Sequence, residues 1–552
     1  MLKNRVQLPG KLILLLCLIV SSSKISKAQS VYLPQSYQFN QKFNADLYSK
    51  GTALHTSLRP FLIDSTLQTR YNQLMLLGVD SSHKSWLMRK LFNEHLIDVK
   101  TKEYTFYGDF LTENIVGKDF EDKNAIASVR PVGFLFKSAL GLNTRGFQFG
   151  GTVGTKFSFY TSGYENQGAF ADYYTDYARK IRFVPGQAYD RTLTKSYRDF
   201  SYVTALLSYT PVKQLNITLG QDKTFIGDGY RSLLLSDNAA NYPLLRATAH
   251  VGKFQYMMMW AYMQDLLIKK FDTFGSNRRK WALFHYLDYN VNNNLSFGFF
   301  NAYIAPEADD QGNTRPFDVN FINPLLFSSK FGPSGQPGNA LIGFTGKYKV
   351  FDKSAVYAQF IIDRFEGSTF LSGNSTNNTN NTNGLQVGIR GADIFAVKNL
   401  NYLFEFNTVK PYTYMNGRTL SNYTFYSQPL GDPLGANFRE LIGIMNYSVG
   451  KFDFQGQLMY AKYGLDASGD NNGKDLTRPL SPTLTTSTVG QGIGTNLYYT
   501  EGTASYLINA KYNLRFELGA IYRQEKNDLG DKKAAILTFG LRSTFRSLYH
   551  DF

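Results

Sequence analysis

The chain has 552 residues, a formal net charge of +16, a hydrophobic share of 43% and a mean hydropathy of −0.28. Beyond its first segment it contains no apolar run long enough for a transmembrane helix, which excludes a helical membrane protein. The cations are scattered singly and form no run of Lys and Arg, so nucleic acid is not an expected partner.

Residues 1–28 are predicted to be a secretory signal peptide. A basic start (residues 3–11), an apolar core (residues 12–20) and a small-x-small site ending at Ala28 follow the usual order of such signals. The apolar core is too short to span a bilayer, so cleavage after export is expected. Cys17, the only cysteine, lies inside this segment, and the mature chain is therefore predicted to fold without disulfides.

Residues 29–123 are predicted to form a separate N-terminal periplasmic segment with short helices. Apolar residues recur at helical spacing over residues 66–79 and again over residues 82–99. Two such helices predict either a bundle or plug at the inner mouth of a barrel, or a small cap without contact to the pore. Residues 103–110 alternate between apolar and polar side chains, which is compatible with an additional strand in this segment.

Residues 124–552 are predicted to form an all-β transmembrane barrel, a large antiparallel outer-membrane β-barrel with about 16–18 strands. Short segments such as Phe452–Tyr460 and Arg515–Arg523 alternate apolar with polar residues, which indicates a sheet with one apolar and one polar face. Aromatic residues make up 15% of the chain, and such rings suit the interfacial girdles of a membrane barrel. A soluble all-β protein such as a propeller is the alternative.

The sequence carries no catalytic motif, and a non-enzymatic protein without cofactors or a metal site is predicted. There is no G-x-S-x-G, P-loop, H-E-x-x-H or Cys/His cluster. None of the six histidines stands at metal-ligand spacing from another. His285 is predicted to be a hydrogen-bonded residue of the barrel lumen.

One dense stretch, residues 219–246, reads LGQDKTFIGDGYRSLLLSDNAANYPLLR. Its core, Ser232–Ala239, resembles the signature of the Wzi-like capsule assembly family of outer-membrane β-barrels. Further similar blocks are KWALFHYLDYN (Lys280–Asn290), FINP (Phe321–Pro324), VKPYTY (Val409–Tyr414) and NYTFYSQPLGDPLGANF (Asn422–Phe438). These later blocks are most similar to the branch known as gliding motility protein RemB in Bacteroidetes-type bacteria.

The resemblance implies a large outer-membrane barrel with a helical bundle at its periplasmic end. In the capsule members it also implies a surface lectin that holds exported capsular polysaccharide on the cell. This chain departs from those members just before the motif. It has Gly227–Arg231 (GDGYR) where they carry a tryptophan-rich turn.

Charged and aromatic residues in and around the motif are the candidate polysaccharide-binding site or, alternatively, an inward-folded lumen network. In the first interpretation, Tyr230 stacks on a sugar while Arg231 and Arg246 bind glycan carboxylates. In the second, the same residues hold a loop inside the barrel and touch no ligand. The candidates are Asp228, Tyr230, Arg231, Asp237, Asn238, Arg246 and His285.

The predicted function is to bind, retain or help assemble surface polysaccharide, either capsular or exopolysaccharide. The alternatives are an outer-membrane component of the gliding motility or surface adhesion machinery, and a porin-like channel. Expected partners are outer-membrane lipid and lipopolysaccharide, acidic surface polysaccharide because of the basic balance, and gliding or secretion machinery proteins. The expected location is the outer membrane of a Gram-negative cell.

Overall fold

A computed structural model describes residues 31–122, 140–192, 197–270, 275–308, 313–324, 338–365, 381–467, 469–480 and 487–552. The predicted signal peptide lies outside these residues. Within them, eighteen antiparallel strands form one closed barrel. The strands are β1 (Tyr104–Asp119), β2 (Leu140–Val153), β3 (Phe157–Ala169), β4 (Arg198–Val212), β5 (Leu215–Asp222), β6 (Tyr242–Val251), β7 (Phe254–Gln264), β8 (Arg279–Asn290), β9 (Leu295–Pro306), β10 (Asn339–Phe351), β11 (Ser354–Arg364), β12 (Thr382–Gly391), β13 (Leu400–Val409), β14 (Phe438–Val449), β15 (Phe452–Leu465), β16 (Ile493–Asn509), β17 (Leu514–Asn527) and β18 (Gly530–Ser543).

The predicted barrel and its strand number are confirmed, and the propeller alternative is wrong. The predicted boundary at residue 124 is also wrong, because β1 pairs with both β18 and β2 and so closes the barrel. A short strand, Ile97–Lys100, pairs antiparallel with the first residues of β1, from Thr105 to Gly108. The sequence pattern missed the full length of β1 because Asp109, Glu113 and Asp119 interrupt its hydrophobic content.

The two ends of the barrel differ in their connections. At one end, here the short-turn end, strands are joined by turns such as 154–156 and 252–253. At the other, the long-loop end, the connections include 170–197, 223–241 and 410–437, and only the turn between β17 and β18 is short. The chain preceding β1 lies at the short-turn end, where β1 begins.

The outer wall of the barrel is apolar and exposed. On β17, Phe516, Leu518 and Tyr522 face outward with 59%, 51% and 40% exposure, whereas Arg515 and Arg523 face the lumen and are buried. Exposed apolar surface costs about 25 cal/mol per Å² in water. A closed ring of strands with such a wall is stable in lipid, where all backbone groups must pair within the sheet.

The helices are short. The α-helices of the described residues are α1 (Tyr37–Asn40), α2 (Asn44–Leu47), α3 (Ser65–Met75), α4 (Trp86–Phe92) and α5 (Asp172–Ile181). The 3-10 turns are Gln41–Phe43, Ser276–Arg278, Val319–Ile322, Ile394–Ala396 and Thr419–Ser421. The predicted helices over 66–79 and 82–99 correspond to α3 and α4, and the second is shorter because the chain becomes a strand at Ile97. No helix in the described ranges has the length and apolar character needed to cross a bilayer.

Four segments fill the lumen and are together called the lumen plug: residues 31–63, 223–241, 410–437 and 544–552. Leu233, Leu234 and Leu235 are fully buried in a core that includes strand residues from many sides of the barrel. A second core joins the N-terminal residues to Ala355 and Phe545. The predicted alternatives of plug and detached cap concerned α3 and α4. Helix α3 packs on this second core through Leu67 and Leu74, so it is not a detached cap, while the plug itself is supplied by residues 31–63.

Candidate functional site

Asp228 of the motif is a buried acceptor at the centre of the lumen plug. Its carboxylate accepts hydrogen bonds from the hydroxyls of Tyr48 at 2.9 Å, Ser57 at 2.5 Å and Thr56. The side chain is 3% exposed. It thus links the N-terminal segment to the motif loop.

The GDGYR turn is shaped by the same N-terminal segment. Arg59 donates to the carbonyl oxygen of Gly229 at 2.7 Å and its guanidinium lies 3.6 Å from the ring centre of Phe225. Gly227 has a φ of 138°, and a Cβ there would overlap the side-chain amide of Gln359. Glycine is therefore required at this position.

Tyr230 and Arg231 bind protein groups on all sides. The Arg231 guanidinium lies 3.1 Å from Asp551 and 3.3 Å from Glu440, and the Tyr230 hydroxyl donates to Asp551 at 2.8 Å. The backbone N–H groups of both residues donate to Glu405. Because Tyr230 and Arg231 are buried, at 8% and 3% exposure, neither side chain presents a surface for a sugar.

The remaining motif residues belong to the same network. Asp237 accepts a hydrogen bond from the Tyr549 hydroxyl at 2.9 Å, and Asn238 is 8% exposed. Arg246 donates to Thr224 at 2.9 Å. Six of the seven candidate residues are thus placed together in the lumen, and their part in polysaccharide binding stays a prediction.

The seventh candidate, His285, is not a lumen residue, and that prediction is wrong. On β8, Phe284 and Tyr286 pack in the lumen core, so His285 faces the outer wall because side chains alternate along a strand. Its Nδ1 lies 2.7 Å from the Tyr256 hydroxyl, which donates to the carbonyl oxygen of Pro324 at 2.5 Å. The FINP block therefore covers His285 on the outside of the barrel.

Residues 544–552 return through the lumen toward the long-loop end. Near the beginning of this segment, Arg546 binds the buried Glu113 of β1 at 2.5 Å. At its far end, the Phe552 ring lies 4.8 Å from Tyr177 of α5. The segment therefore joins the lumen plug to the loops above it.

An open cleft of about 640 Å³ lies at the long-loop end, beside Phe552, and is here called the long-loop cleft. It is formed by α5, the ends of β1, β15, β17 and β18, and parts of the 410–437 and 466–480 segments. Its lining includes the acidic residues Asp119, Glu121, Asp122, Asp172, Asp176, Asp475 and Glu525, the basic residues Lys180, Lys474, Arg523, Lys532 and Lys533, and the aromatic residues Tyr173, Tyr177, Tyr463 and Phe552.

Two of the aromatic rings in the cleft are held in place by cations. The Arg523 guanidinium lies 4.4 Å from the ring centre of Tyr173, and Lys474 lies 4.7 Å from that of Tyr463. Tyr173 and Tyr177 are half-buried. Fixed, partly exposed aromatic faces are suited to stacking against the apolar face of a sugar ring.

Most cations of the cleft already have a partner. Lys180 pairs with Asp475 at 2.8 Å, and Arg523 pairs with Glu525 at 2.7 Å. Lys532 is exposed and forms no ion pair with any described residue. Since carboxylates outnumber cations in the lining, the cleft does not have the positive field that an acidic ligand would need.

The pKa values of the charged loop residues in the cleft are shifted by burial and by neighbouring charges. Burial raises the pKa of the Asp172 carboxyl, and the neighbouring carboxylates of Asp122 and Asp176 raise it further. Burial lowers the pKa of Lys474 to about 8. For Asp475, burial opposes ionisation, but the Lys180 ammonium and the hydrogen bonds from Thr477 together lower the pKa below its usual value.

Sequence reasoning missed the cleft because its residues come from segments far apart in the chain. The one local signal is DYYTDYARK, within α5, which places tyrosines and both charge signs on a single short helix. Two of those tyrosines, Tyr173 and Tyr177, line the cleft. Nothing in that segment alone tells which strands and loops it meets.

Comparison with solved structures identifies the architecture. The structure is similar to that of Wzi, an outer membrane protein involved in group 1 capsule assembly in Escherichia coli and a carbohydrate-binding β-barrel. The TM-score is 0.55 at 13% sequence identity, over 93% of this chain and 99% of that chain. The chain has the Wzi fold. At this identity the likeness shows the fold alone, and it confirms the fold that the motif implied.

Other solved structures are similar with lower scores. The outer membrane protein OprD from Pseudomonas aeruginosa gives a TM-score of 0.42 at 11% identity, covering 81% of this chain and 95% of that chain. OccAB2 from Acinetobacter baumannii gives 0.41 at 10% identity, covering 79% and 96%. No protein-family model and no curated protein sequence matches the chain. The resemblance to the RemB branch stays a prediction.

Proposed function

We propose that this protein is a non-enzymatic outer-membrane barrel that binds and retains surface polysaccharide in the long-loop cleft. The observation that carries the proposal is a filled lumen beneath an open cleft with half-buried tyrosines. In outer-membrane barrels the long loops face the cell exterior, so the cleft opens where exported polysaccharide lies. Wzi, which shares the fold, takes part in capsule assembly and binds carbohydrate, and this supports the same function here.

The chemistry of the cleft favours a hydroxyl-rich glycan of low charge over the acidic polysaccharide expected from net charge. Exposed carboxylates at Asp172 and Asp176 accept hydrogen bonds from sugar hydroxyls, and Tyr177 supplies a stacking face. Lys532 is left to donate to a ring oxygen or hydroxyl. An acidic chain would be repelled by the carboxylates that line the same wall.

The contacts of the lumen plug argue against a porin-like channel. Conduction requires a continuous water-filled path through the barrel. Instead, side chains from all four plug segments bind the inward faces of the strands, as Arg231 does with Glu440 and Arg546 with Glu113. We therefore expect little ion conductance from the intact protein in a planar bilayer.

Deleting the gene tests the proposal in cells. Polysaccharide is quantified separately in the cell-bound and shed fractions, alongside a spreading assay. Retention predicts that glycan moves from cells to medium while its total amount stays constant. Unchanged cell-bound glycan in the deletion strain would overturn the proposal.

Complementation then assigns the function to the cleft. The deletion strain receives the wild type, a Tyr177→Ala/Lys532→Ala double variant, or a control, Tyr189→Ala. Tyr189 is 44% exposed and does not line the cleft. We expect wild type and control to restore retention and the cleft variant to fail at equal surface abundance. Full rescue by the cleft variant would place glycan binding elsewhere.

A second candidate is a component of the gliding or surface adhesion machinery. The FINP block favours it, because this block lies on the outer wall, where a partner protein in the membrane has access. Trp260 donates to the carbonyl oxygen of Phe321 at 2.7 Å, which holds the block there. In the deletion strain, lost spreading with unchanged cell-bound glycan would select this function.

A further inference from the structure

The outer wall carries its charges unevenly. On the six neighbouring strands β14–β18 and β1, outward-facing positions are uncharged except near the long-loop end. Five cations and one acid stand there, each within four residues of the strand end. The cations, here called the cation row, are Arg439, Lys462, Lys526, Lys533 and Lys118, and the acid is Asp531. Lys533 stands at the rim and also borders the long-loop cleft.

The strand register brings these side chains side by side. Arg439 pairs directly with Lys462 on the adjacent strand, and Lys526 pairs with Asp531. All five cations are exposed. Adjacent strands are ~4.8 Å apart, so six strands present a positively charged edge roughly 24 Å wide.

The protein neutralises the cation row only in part. Asp531 accepts hydrogen bonds from Gln524 at 2.9 Å and lies 3.4 Å from Lys533. For Arg439, Lys462 and Lys118 there is no ion-pair partner among the described residues. Holding like charges together costs free energy, and a bound anion would offset this cost.

Tyrosines lie immediately next to the cation row on the side of the apolar wall. The rings of Tyr460 and Tyr498 are 5.1 Å apart, and Tyr522 is outward-facing and 40% exposed. Such rings mark the boundary between hydrocarbon and headgroups in membrane proteins. The cation row therefore stands at headgroup depth in the leaflet at the long-loop end.

On another arc of the barrel, outward-facing charges near the long-loop end form ion pairs within the protein. On β3 and β4, Glu165 and Asp199 also face outward near the long-loop end, but both bind Arg191. Arg191 pairs with both of those carboxylates, so these three residues carry no excess positive charge. On β14–β18 and β1, five outward-facing cations stand with one carboxylate near the same end.

We propose that the cation row binds the phosphate groups of lipopolysaccharide in the outward leaflet. Phosphate is the anion available at this depth, and Arg and Lys are its usual partners in proteins. The proposal rests on the outer-membrane location in the proposed function, but not on glycan binding in the long-loop cleft. A bound glycolipid would hold this side of the barrel beneath the cleft.

The test compares phosphate-dependent lipid binding by two matched triple variants. Arg439→Gln/Lys462→Gln/Lys526→Gln removes three row cations, and Lys156→Gln/Lys213→Gln/Lys253→Gln removes three exposed cations from short turns. The probe is purified bisphosphorylated lipid A in detergent, with binding measured by native mass spectrometry. We expect about 100-fold weaker binding for the row variant, with wild-type affinity for the control.

Folding is checked by heat-modifiable gel mobility, because outward Gln substitutions leave the lumen and ladder contacts intact. Dephosphorylated lipid A is expected to bind wild type as weakly as bisphosphorylated lipid A binds the row variant. Equal affinity of both folded variants for lipid A would overturn the proposal. So would full competition by inorganic phosphate at the same phosphate concentration, since the site would then bind a free anion. Polysaccharide retention in cells is unaffected by either result and tests the proposed function separately.

Discussion

The lumen plug and the long-loop cleft use the same side-chain types for different purposes. In the plug, Tyr230 is 8% exposed and its hydroxyl donates to Asp551, while Arg231 lies between two carboxylates. In the cleft, Tyr177 is half-buried and Lys532 is exposed without an ion-pair partner among the described residues. The difference teaches that a dense group of aromatic and charged residues in a barrel indicates a ligand site only where their faces stay open.

The largest effect that separates the two regions is expected from Arg231→Ala. It leaves Glu440 and Asp551 buried without their cation, which costs about 3–5 kcal/mol of stability. The apparent unfolding temperature, followed by heat-modifiable gel mobility, should fall markedly. Lys532→Ala, the matched change in the cleft, should leave it unchanged. Equal stability of both variants would contradict the distinction between the buried lumen plug and the open long-loop cleft.

Removing residues 544–552 should weaken the seal of the lumen. The segment fills space beside β1 and β17 and binds Arg231 through Asp551. We expect single-molecule conductance in planar bilayers to rise from background to discrete openings. The control is Phe552→Ala, which keeps the segment in the lumen but removes a ring from the cleft. Background conductance in the truncated protein would show that the other plug segments seal the barrel by themselves.

Within the cleft, Tyr177→Ala should weaken glycan binding about 10-fold while leaving stability within error. Tyr177→Phe keeps the stacking face and should bind like wild type. Affinity is measured by titration calorimetry with polysaccharide from the same cell surface. Loss of binding in the Phe variant would assign recognition to the hydroxyl and not to the ring.

The smallest expected effect is a pH dependence at Lys474. Its pKa is lowered from 10.5 to about 8 by burial, so the folded state binds this proton less tightly than the unfolded state. Stability contributed by the site therefore rises between pH 8 and pH 10.5. The apparent Tm of wild type should increase by about 2–4 °C relative to Lys474→Gln across this window. A constant difference would contradict the burial of the ammonium group.

The strand alternation was sufficient to predict the barrel and its size, since the period of two is set locally by backbone geometry. The same logic failed for His285, because the face of a strand that points inward follows from its neighbours in the closed ring. It also failed for β1, whose inward carboxylates Asp109 and Glu113 bind partners that are distant in sequence. The motif residues lie together in the lumen, but their partners could not be predicted because they come from distant parts of the chain.

The sequence by itself determined that this chain alternates apolar and polar residues over many strands, which selects a closed membrane barrel because no other arrangement satisfies both faces and the backbone in lipid. Only the tertiary structure decided which polar groups are consumed inside and which remain open. Arg231 and Asp551 meet although 320 residues separate them in the chain. The cleft is assembled from a helix, strand ends and loops that have no local signal of proximity. The position of a residue within the closed barrel, rather than its type, decides whether it belongs to the lumen plug or to the long-loop cleft.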